Sequence, residues 1–168
     1  MMSPFPSVAI LVRGVAPAAS QSVRALRELT AYPNWSIYLV VDDAPAAEAY
    51  NRAASQRDED LLLFWEAGLT PTSVDWLGRM VRALALPKVG AAVGMVFAEV
   101  GSPVAGLLTP RDLFERLGNF DSDRLPERGY LEDYLVRLVG LGSECVAVAG
   151  AEFLAGAAQL TPWTVSIH

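Results

Sequence analysis

Hydrophobic and polar residues alternate in blocks along the chain, and these blocks predict strands separated by helices. Short runs of consecutive apolar residues are typical of strands that are buried on both faces of a parallel sheet. Such runs occupy residues 7–12, 35–43, 61–65, 89–97, 144–150 and 162–167. The run at 61–65 ends in Trp65 and is followed by one acidic residue, Glu66, so polar residues are nearly missing where a strand end usually carries them.

The segments between most of these runs have the apolar spacing of amphipathic helices. The helices predicted in this way cover residues 20–32, 44–60, 70–87, 109–118 and 131–140. The third is expected to begin at Thr70-Pro71, because proline is favoured in the first helical turn, and to direct Val74 and Leu77 towards the core.

Strands that alternate with helices predict an α/β sandwich with a largely parallel sheet, in which ligands lie beyond the carboxyl ends of the strands. The 168 residues contain 52% apolar residues, enough for one domain with a substantial core. We find neither an internal repeat nor a linker in the sequence. We therefore expect a single domain over residues 1–168.

The charge and the rare residue types exclude several classes of function. The net charge of −6 argues against nucleic acid as a partner, because phosphate binding needs a basic surface. With one cysteine, Cys145, and one histidine, His168, the chain has no internal disulfide, His/Cys zinc site or Ser-His-Asp triad. The sequence has no apolar run long enough to span a membrane and no signal peptide, so a cytoplasmic location is expected.

Three stretches carry a family resemblance. They read YPNWSIYLVVDDAP at 32–45, AYNRAASQRDEDLLLF at 49–64 and GLLTPRDLFERLGNFDSDRLPERGYLEDYLVRLVGLG at 106–142. Together, in this order and spacing, they resemble the family-2 glycosyltransferases, which have the GT-A fold. The resemblance spans about residues 7–155 and implies a Rossmann-like three-layer sandwich with a mainly parallel central sheet.

The resemblance also implies a chemistry, which is the transfer of a sugar from a UDP- or GDP-linked donor to an acceptor hydroxyl. A carboxylate accepts the hydroxyl proton, and a Mg²⁺ or Mn²⁺ ion neutralises charge on the departing diphosphate. Asp42 and Asp43 match the nucleotide-contacting positions. Glu132 and Asp133 match the pair that supplies the general base, and we favour Asp133.

Two arginines are the candidate phosphate contacts. Arg111 matches a positively charged family position near the donor phosphates, and Arg13 ends the first strand on the same predicted side. Each of these assignments has a structural alternative. Asp42 and Asp43 are also suited to cap the next helix, and Asp133 has the i, i+4 spacing of a helix-surface ion pair with Arg137.

The family's aspartate-x-aspartate metal motif aligns with Trp65-Glu66-Ala67. Successive strand residues point to opposite faces, so a metal needs acids at the positions that Trp65 and Ala67 occupy. Glu66 remains as the one candidate ligand, and a single carboxylate is a poor magnesium or manganese site. Unless Arg13, Arg52 or Arg111 replaces the charge of the metal, its loss is expected to cost about two to four decades in rate.

Two functions remain open at this point. One is an active transferase with a displaced or metal-free site, and the other is a non-catalytic GT-A-fold binding or assembly module. A nucleotide-binding protein of another family is a third, weaker alternative. We expect a glycosyltransferase-like domain whose transfer activity is weak or lost.

Overall fold

The computed structural model describes residues 3–96 and 104–155. Its strands are β1 (Val8–Arg13), β2 (Trp35–Val40), β3 (Leu61–Glu66), β4 (Leu69–Pro71), β5 (Val89–Val96), β6 (Val104–Pro110) and β7 (Glu144–Ala155). Its helices are α1 (Ala18–Glu28), α2 (Ala46–Ala54), α3 (Trp76–Leu84), α4 (Arg111–Arg116) and α5 (Tyr130–Gly140).

The seven strands form one sheet in the order β2-β1-β3-β6-β5-β7-β4. Strands β1, β2, β3, β5 and β7 run in one direction, while β6 and β4 run in the opposite one. The expected α/β class and the mainly parallel direction of the strands are therefore confirmed. Neighbouring strands end at the same edge in the parallel part β2-β1-β3 and in the parallel pair β5-β7.

Alternation along the strands divides the core into two layers. On β3, Leu62 and Phe64 face a layer closed by α2, α4 and α5, whereas Leu63 and Trp65 face a layer closed by α1 and α3. All four side chains are completely buried, as expected for a strand between two helical layers. The three-layer arrangement places Trp65 and its neighbour Glu66 on opposite sides of the sheet.

The helix predicted from Thr70 starts later than expected. Residues 69–71 form the short strand β4, which pairs with β7, and α3 begins only at Trp76. The Thr72 backbone N–H and hydroxyl both bond to the Glu152 carbonyl, so the chain satisfies its polar groups by sheet pairing before the helix starts. Val74 consequently lies outside the helix and is 50% exposed.

The strand β6 was not predicted, because its run is interrupted by Gly106 and leads directly into α4. Gly106 has a positive φ of 70° and lies against the Trp65 ring, where a Cβ would approach the ring to 3.4 Å. The strand predicted at 162–167 lies outside the described residues. None of the helices in the described part of the chain is long and apolar enough to cross a membrane.

Candidate functional site

The ends of three parallel strands bring Arg13, Glu66 and the segment after Val40 to one edge of the sheet. Arg13, the last residue of β1, is in register with Glu66 of β3 on one side and with Val40 of β2 on the other. Residues in register on parallel strands point to the same face, which here is the face covered by α2 and α5. The edge therefore carries an arginine beside a glutamate.

Glu66 is fixed by the tyrosine of α2. The Tyr50 hydroxyl lies within hydrogen-bond distance of two acceptors, the Glu66 Oε1 atom at 3.0 Å and the Trp65 carbonyl oxygen at 2.9 Å, and its proton is shared between them. Burial raises the pKa of Glu66 to about 7, although the Tyr50 hydrogen bond and the Arg13 charge act in the opposite direction. Burial, followed by the charge of Glu66, raises the pKa of Tyr50 well above its usual value, so the phenol keeps its proton.

The start of α5 completes this group. Gly129, with a positive φ of 77°, precedes the helix, and Tyr130 is its first residue. Burial and the charge of Glu66 raise the pKa of Tyr130, Arg13 lowers it, and Glu132 and Glu127 raise it further. These charges therefore lie around one phenol. We call Arg13, Tyr50, Glu66, Glu127 and Tyr130 the polar cluster.

The two aspartates after β2 differ in their surroundings. Asp42 accepts a hydrogen bond from the Ala44 backbone N–H at 2.9 Å, and its second oxygen pairs with the Arg52 guanidinium at 2.5 Å. Asp43 is exposed and makes no ion pair with any described residue. Neither side chain caps α2, whose N-cap residue is Pro45. Asp42 instead forms a turn at the entrance of the helix.

Asp133 lies in the first turn of α5 and is held by two arginines. Its Oδ2 atom accepts from Arg137 Nε at 2.8 Å, and its Oδ1 atom lies 3.8 Å from Arg124 Nη2. Arg137 also donates to the carbonyls of Leu117 and Asn119 after α4. The i, i+4 pair is thus present and ties α5 to the preceding loop. Glu132 is half-buried and makes no ion pair within the described residues.

Arg111 lies at the opposite end of the sheet. Because β6 is antiparallel to β3, the end of β6 is in register with Leu61, the first residue of β3. Arg111 donates from Nε to the Glu59 carbonyl at 2.9 Å, and its Nη1 atom pairs with Glu115 at 3.1 Å. Leu61 and Glu66 are five residues apart on β3, which places Arg111 about 17 Å from Glu66 along the strand. Arg111 is therefore not brought to the edge that carries Arg13 and Asp42.

Trp65 is completely buried on the other face of β3. Its ring packs 5.2 Å from the Trp76 ring and 4.7 Å from the Phe153 ring, measured between centroids. The indole Nε1 atom finds no hydrogen-bond acceptor within the described part of the chain. Ala67 donates its backbone N–H to the Arg13 carbonyl at 2.8 Å, and a Cβ at Gly14 would come within 2.3 Å of the Ala67 Cβ. Both positions of the expected metal pair are thus closely packed.

The donor set does not fit a divalent cation. Within residues 3–96 and 104–155, no three His, Cys, Asp or Glu side chains lie close enough together to hold a metal ion. At the expected position Glu66 is the acid present, and its Oε1 atom already accepts from Tyr50.

The fold is similar to the GT-A folds of solved glycosyltransferases, so the expected GT-A-like fold is confirmed. No family model matches the sequence, and no curated protein matches it significantly. The likeness is therefore carried by structure.

Three solved structures illustrate it. The mannosyltransferase PcManGT from Pyrobaculum calidifontis, in complex with GDP-Man and Mn²⁺, has a TM-score of 0.71 and 15% identity, covering 94% of this chain and 59% of its own. GalNAc-T7 with UDP, GalNAc and Mn²⁺ has a TM-score of 0.71 and 9% identity, over 90% of this chain and 43% of its own. The catalytic domain of Drosophila β1,4-galactosyltransferase 7, in complex with xylobiose, has a TM-score of 0.69 and 15% identity, over 97% of this chain and 76% of its own. The chain thus spans only about half the length of the first two.

Several residues of the site were not singled out from the sequence. Tyr50 and Tyr130 have the spacing of core aromatic residues, and Glu127 is preceded by proline in a loop, so none carries a local signal of function. Arg52 was expected only as a possible replacement for the charge of the metal, and its ion pair with Asp42 was not predicted. These contacts depend on how α2 and α5 meet the strand ends.

Proposed function

We propose that this chain is a GT-A-fold domain that binds a nucleotide sugar at the carboxyl ends of β1, β2 and β3, and whose metal-dependent sugar transfer is weak or lost. The observation that carries the proposal is the complete burial of Trp65 in an aromatic core at a position where the family resemblance requires a metal-binding acid. A side chain packed in this way provides no ligand to the cleft.

The remaining carboxylate also argues against a metal-dependent reaction. Divalent cations bind deprotonated carboxylates, and affinity falls when the ligand holds a proton. Burial raises the pKa of Glu66 to about 7, so a substantial fraction of this side chain is protonated at neutral pH. Glu66 is better suited to hydrogen bonding with Tyr50 than to binding a cation.

Nucleotide binding is supported by the segment after β2. Asp42 is held in a defined position by Ala44 and Arg52, while Asp43 is exposed and pairs with no described residue, so its carboxylate is suited to accept from the hydroxyls of a ribose. Arg13 provides positive charge at the same edge, where a diphosphate would need it. Recognition by these groups requires no metal ion.

The contacts around α5 favour Glu132 over Asp133 as the acid that an acceptor hydroxyl would meet. Asp133 is engaged by Arg137 and Arg124, whereas Glu132 makes no ion pair within the described residues and lies close enough to Tyr130 to affect its pKa. Residual transfer, if measured, should depend more on Glu132. Without a metal to stabilise the leaving group, this acid alone supports only a slow reaction.

Calorimetric titration of UDP, GDP, UDP-glucose and GDP-mannose, with and without 1 mM Mn²⁺, tests the proposal. We expect at least one nucleotide to bind, with a dissociation constant that Mn²⁺ changes by less than about twofold. Asp43→Ala should weaken that binding about tenfold, which corresponds to the loss of one or two hydrogen bonds to a charged group. Asp58→Ala, which removes an exposed acid before β3, is the matched control and should leave binding unchanged.

Two results would contradict the proposal in different ways. Binding that tightens tenfold or more with Mn²⁺ would show that a functional metal site forms. Absence of binding to all four nucleotides would remove the nucleotide-sugar function and leave the non-catalytic assembly module as the better account of the fold.

A further inference from the structure

The outer edge of β2 is unpaired by any described strand. The Val8 backbone N–H donates to the Asn34 carbonyl, which fixes the phase of the β1–β2 ladder. In a parallel ladder the bonding residues alternate, so Ser36, Tyr38 and Val40 face β1. The backbone groups of Trp35, Ile37 and Leu39 consequently point outwards. A row of free donors and acceptors of this kind is a template for another strand.

This edge forms the floor of a groove of about 360 Å³. One wall is provided by α1 through Val23 and Arg27, and the other by the α2 segment through Ala53 and Arg57. Ile37 and Leu39 project towards the first wall and Tyr38 towards the second, because consecutive strand residues face opposite sides. The groove therefore follows the direction that an added strand would take.

Two arginines, Arg27 and Arg57, line the groove, although the protein carries a net charge of −6. Arg27 is exposed and makes no ion pair within the described residues, and no acidic side chain lines the groove. The Arg57 guanidinium lies 3.8 Å above the centre of the Tyr38 ring and likewise pairs with no described acid. Tyr38 is itself held by a 2.5 Å hydrogen bond to Glu59, so the stacked arginine has a fixed support.

The shape and the charge together select the occupant. A second copy of the chain that paired through its own β2 would bring like charges together at Arg27 and Arg57. An extended peptide is narrow enough to enter. Its successive side chains point alternately to α1 and to the α2 segment, and acidic residues on either side would meet an arginine.

We propose that the groove along β2 binds an extended acidic peptide segment of another protein by strand addition. Main-chain hydrogen bonds to Trp35, Ile37 and Leu39 provide the alignment, and Arg27 and Arg57 select for acidic side chains. This surface is separate from the polar cluster, because it lies along the outer side of the sheet and not at the strand ends.

Selection of a phage-displayed library of random twelve-residue peptides on the full chain tests this surface. We expect the selected peptides to be rich in aspartate or glutamate together with β-branched residues. A synthetic copy of the most enriched peptide should slow the hydrogen exchange of the Trp35, Ile37 and Leu39 amides at least tenfold in NMR spectra. Exchange at Ser36, Tyr38 and Val40 should already be slow in the free chain.

Charge reversal identifies the walls of the groove. Arg27→Glu and Arg57→Glu should each weaken the synthetic peptide about tenfold or more, and Arg116→Glu, an equal charge change on α4, should change its affinity less than twofold. Because Arg27 is exposed, its variant tests the charge without disturbing the Tyr38 stack. The proposal fails if no peptide is enriched, if enriched peptides lack acidic residues, or if both reversals leave affinity unchanged. It also fails if the three outward amides are already protected in a chain that sediments as a dimer.

Discussion

Trp65 and Glu66 are consecutive residues of β3, yet they lie in two regions of opposite chemical character. Trp65 faces the layer of α1 and α3, where its ring is enclosed by Trp76 and Phe153. Glu66 faces the layer of α2 and α5, where Tyr50, Arg13 and Tyr130 surround its carboxylate. The comparison shows that the phase of one strand determines which residue is available for chemistry, because a shift by one residue exchanges the two faces.

Deeper in the sheet the difference between the two layers disappears. The α2/α5 layer is also aromatic below the edge, with the Phe64 ring 4.9 Å from Phe114 and 4.7 Å from Phe120. Below the edge the α2/α5 layer also holds the buried Thr109–Tyr134 pair, but its charged groups, Arg13 and Glu66, lie at the strand end. On the α1/α3 side the buried polar group near that end is the uncharged Ser22 hydroxyl, which accepts from the Gly68 N–H. Substitution of Trp65 should therefore change stability alone. Substitution of Glu66 should change how stability depends on pH.

The largest effect is expected at Trp65. Trp65→Ala removes a fully buried ring and should lower the free energy of unfolding by about 3–5 kcal/mol, a large part of the stability of a domain of this size. Trp65→Asp, which places an acid at the position aligned with the metal motif of the family-2 glycosyltransferases, should be more damaging still, because it buries a charge without a partner. Urea unfolding followed by circular dichroism measures both changes.

Trp65→Phe is the matched control. The Trp65 Nε1 atom has no acceptor among the described residues, so the smaller aromatic ring loses packing without losing a hydrogen bond. Its cost should be about half that of Trp65→Ala or less. A Trp65→Asp variant that remains folded and binds Mn²⁺ would refute the view that the aromatic core excludes a metal at this position.

The second effect concerns pH and is expected at Glu66. Its pKa rises from 4.5 to about 7 on folding, so the folded chain binds the proton more tightly than the unfolded chain does. The contribution of Glu66 to stability is therefore fully present below pH 4.5 and is lost as the pH rises through about 7. Glu66→Gln removes this loss. The variant should match the wild type near pH 4 and exceed it at pH 8 by up to about 3 kcal/mol.

Unfolding curves at several pH values between 4 and 8 test this expectation. Tyr50→Phe provides a second variant, because it removes the hydrogen bond that holds the pKa of Glu66 down. In Tyr50→Phe the pH-dependent loss of stability should extend to higher pH than in the wild type. A Glu66→Gln variant that is equally stabilised at pH 4 and pH 8 would mean that the carboxylate does not titrate in this range.

A smaller effect is expected at Asn51 of α2, which binds the backbone of Phe120, a residue packed against Phe64 of β3. Its side-chain amide donates to the Phe120 carbonyl at 2.9 Å, and its amide oxygen accepts from the Phe120 N–H at 3.0 Å. Asn51→Ala leaves both backbone groups without this partner and should cost about 2 kcal/mol. Asn51→Asp keeps the acceptor but sets a carboxylate oxygen against the Phe120 carbonyl oxygen, so it should cost at least as much. Equal stability of the alanine variant and the wild type would show that water replaces the amide.

The sequence predicted the layers of this molecule better than it predicted the site. Apolar runs such as 61–65 and 89–97 are long enough to identify buried strands, and the apolar spacing around Leu26 and Leu135 identified helices. The short strand β4 escaped prediction because its three residues are stabilised by pairing with β7, a contact about 80 residues away. Local patterns carry no information on such pairing.

The site was only partly predictable for the same reason. Arg13, Asp42 and Glu66 follow parallel strands, so their common edge could be inferred from strand order. Arg111 follows β6, whose antiparallel direction sends it to the other end of the sheet. Tyr50 was not recognised because a tyrosine on the apolar face of a helix has the same local pattern whether its hydroxyl meets a carboxylate or a backbone carbonyl.

The smallest effect is expected at Asp133, at the outer rim of the polar side. The Asp133 and Arg137 side chains are 20% and 29% exposed, so solvent screens their attraction only in part. Asp133→Asn should lower the free energy of unfolding by about 1 kcal/mol, because Arg137 keeps its bonds to the Leu117 and Asn119 carbonyls. Arg24→Ala, which breaks the exposed Arg24–Glu28 pair of α1, is the control and should change stability less than Asp133→Asn does.

Since Asp133 anchors α5 while Glu132 does not, Glu132→Gln should leave stability unchanged. A loss of stability at Glu132 equal to that at Asp133 would contradict this division between an anchoring and an available acid.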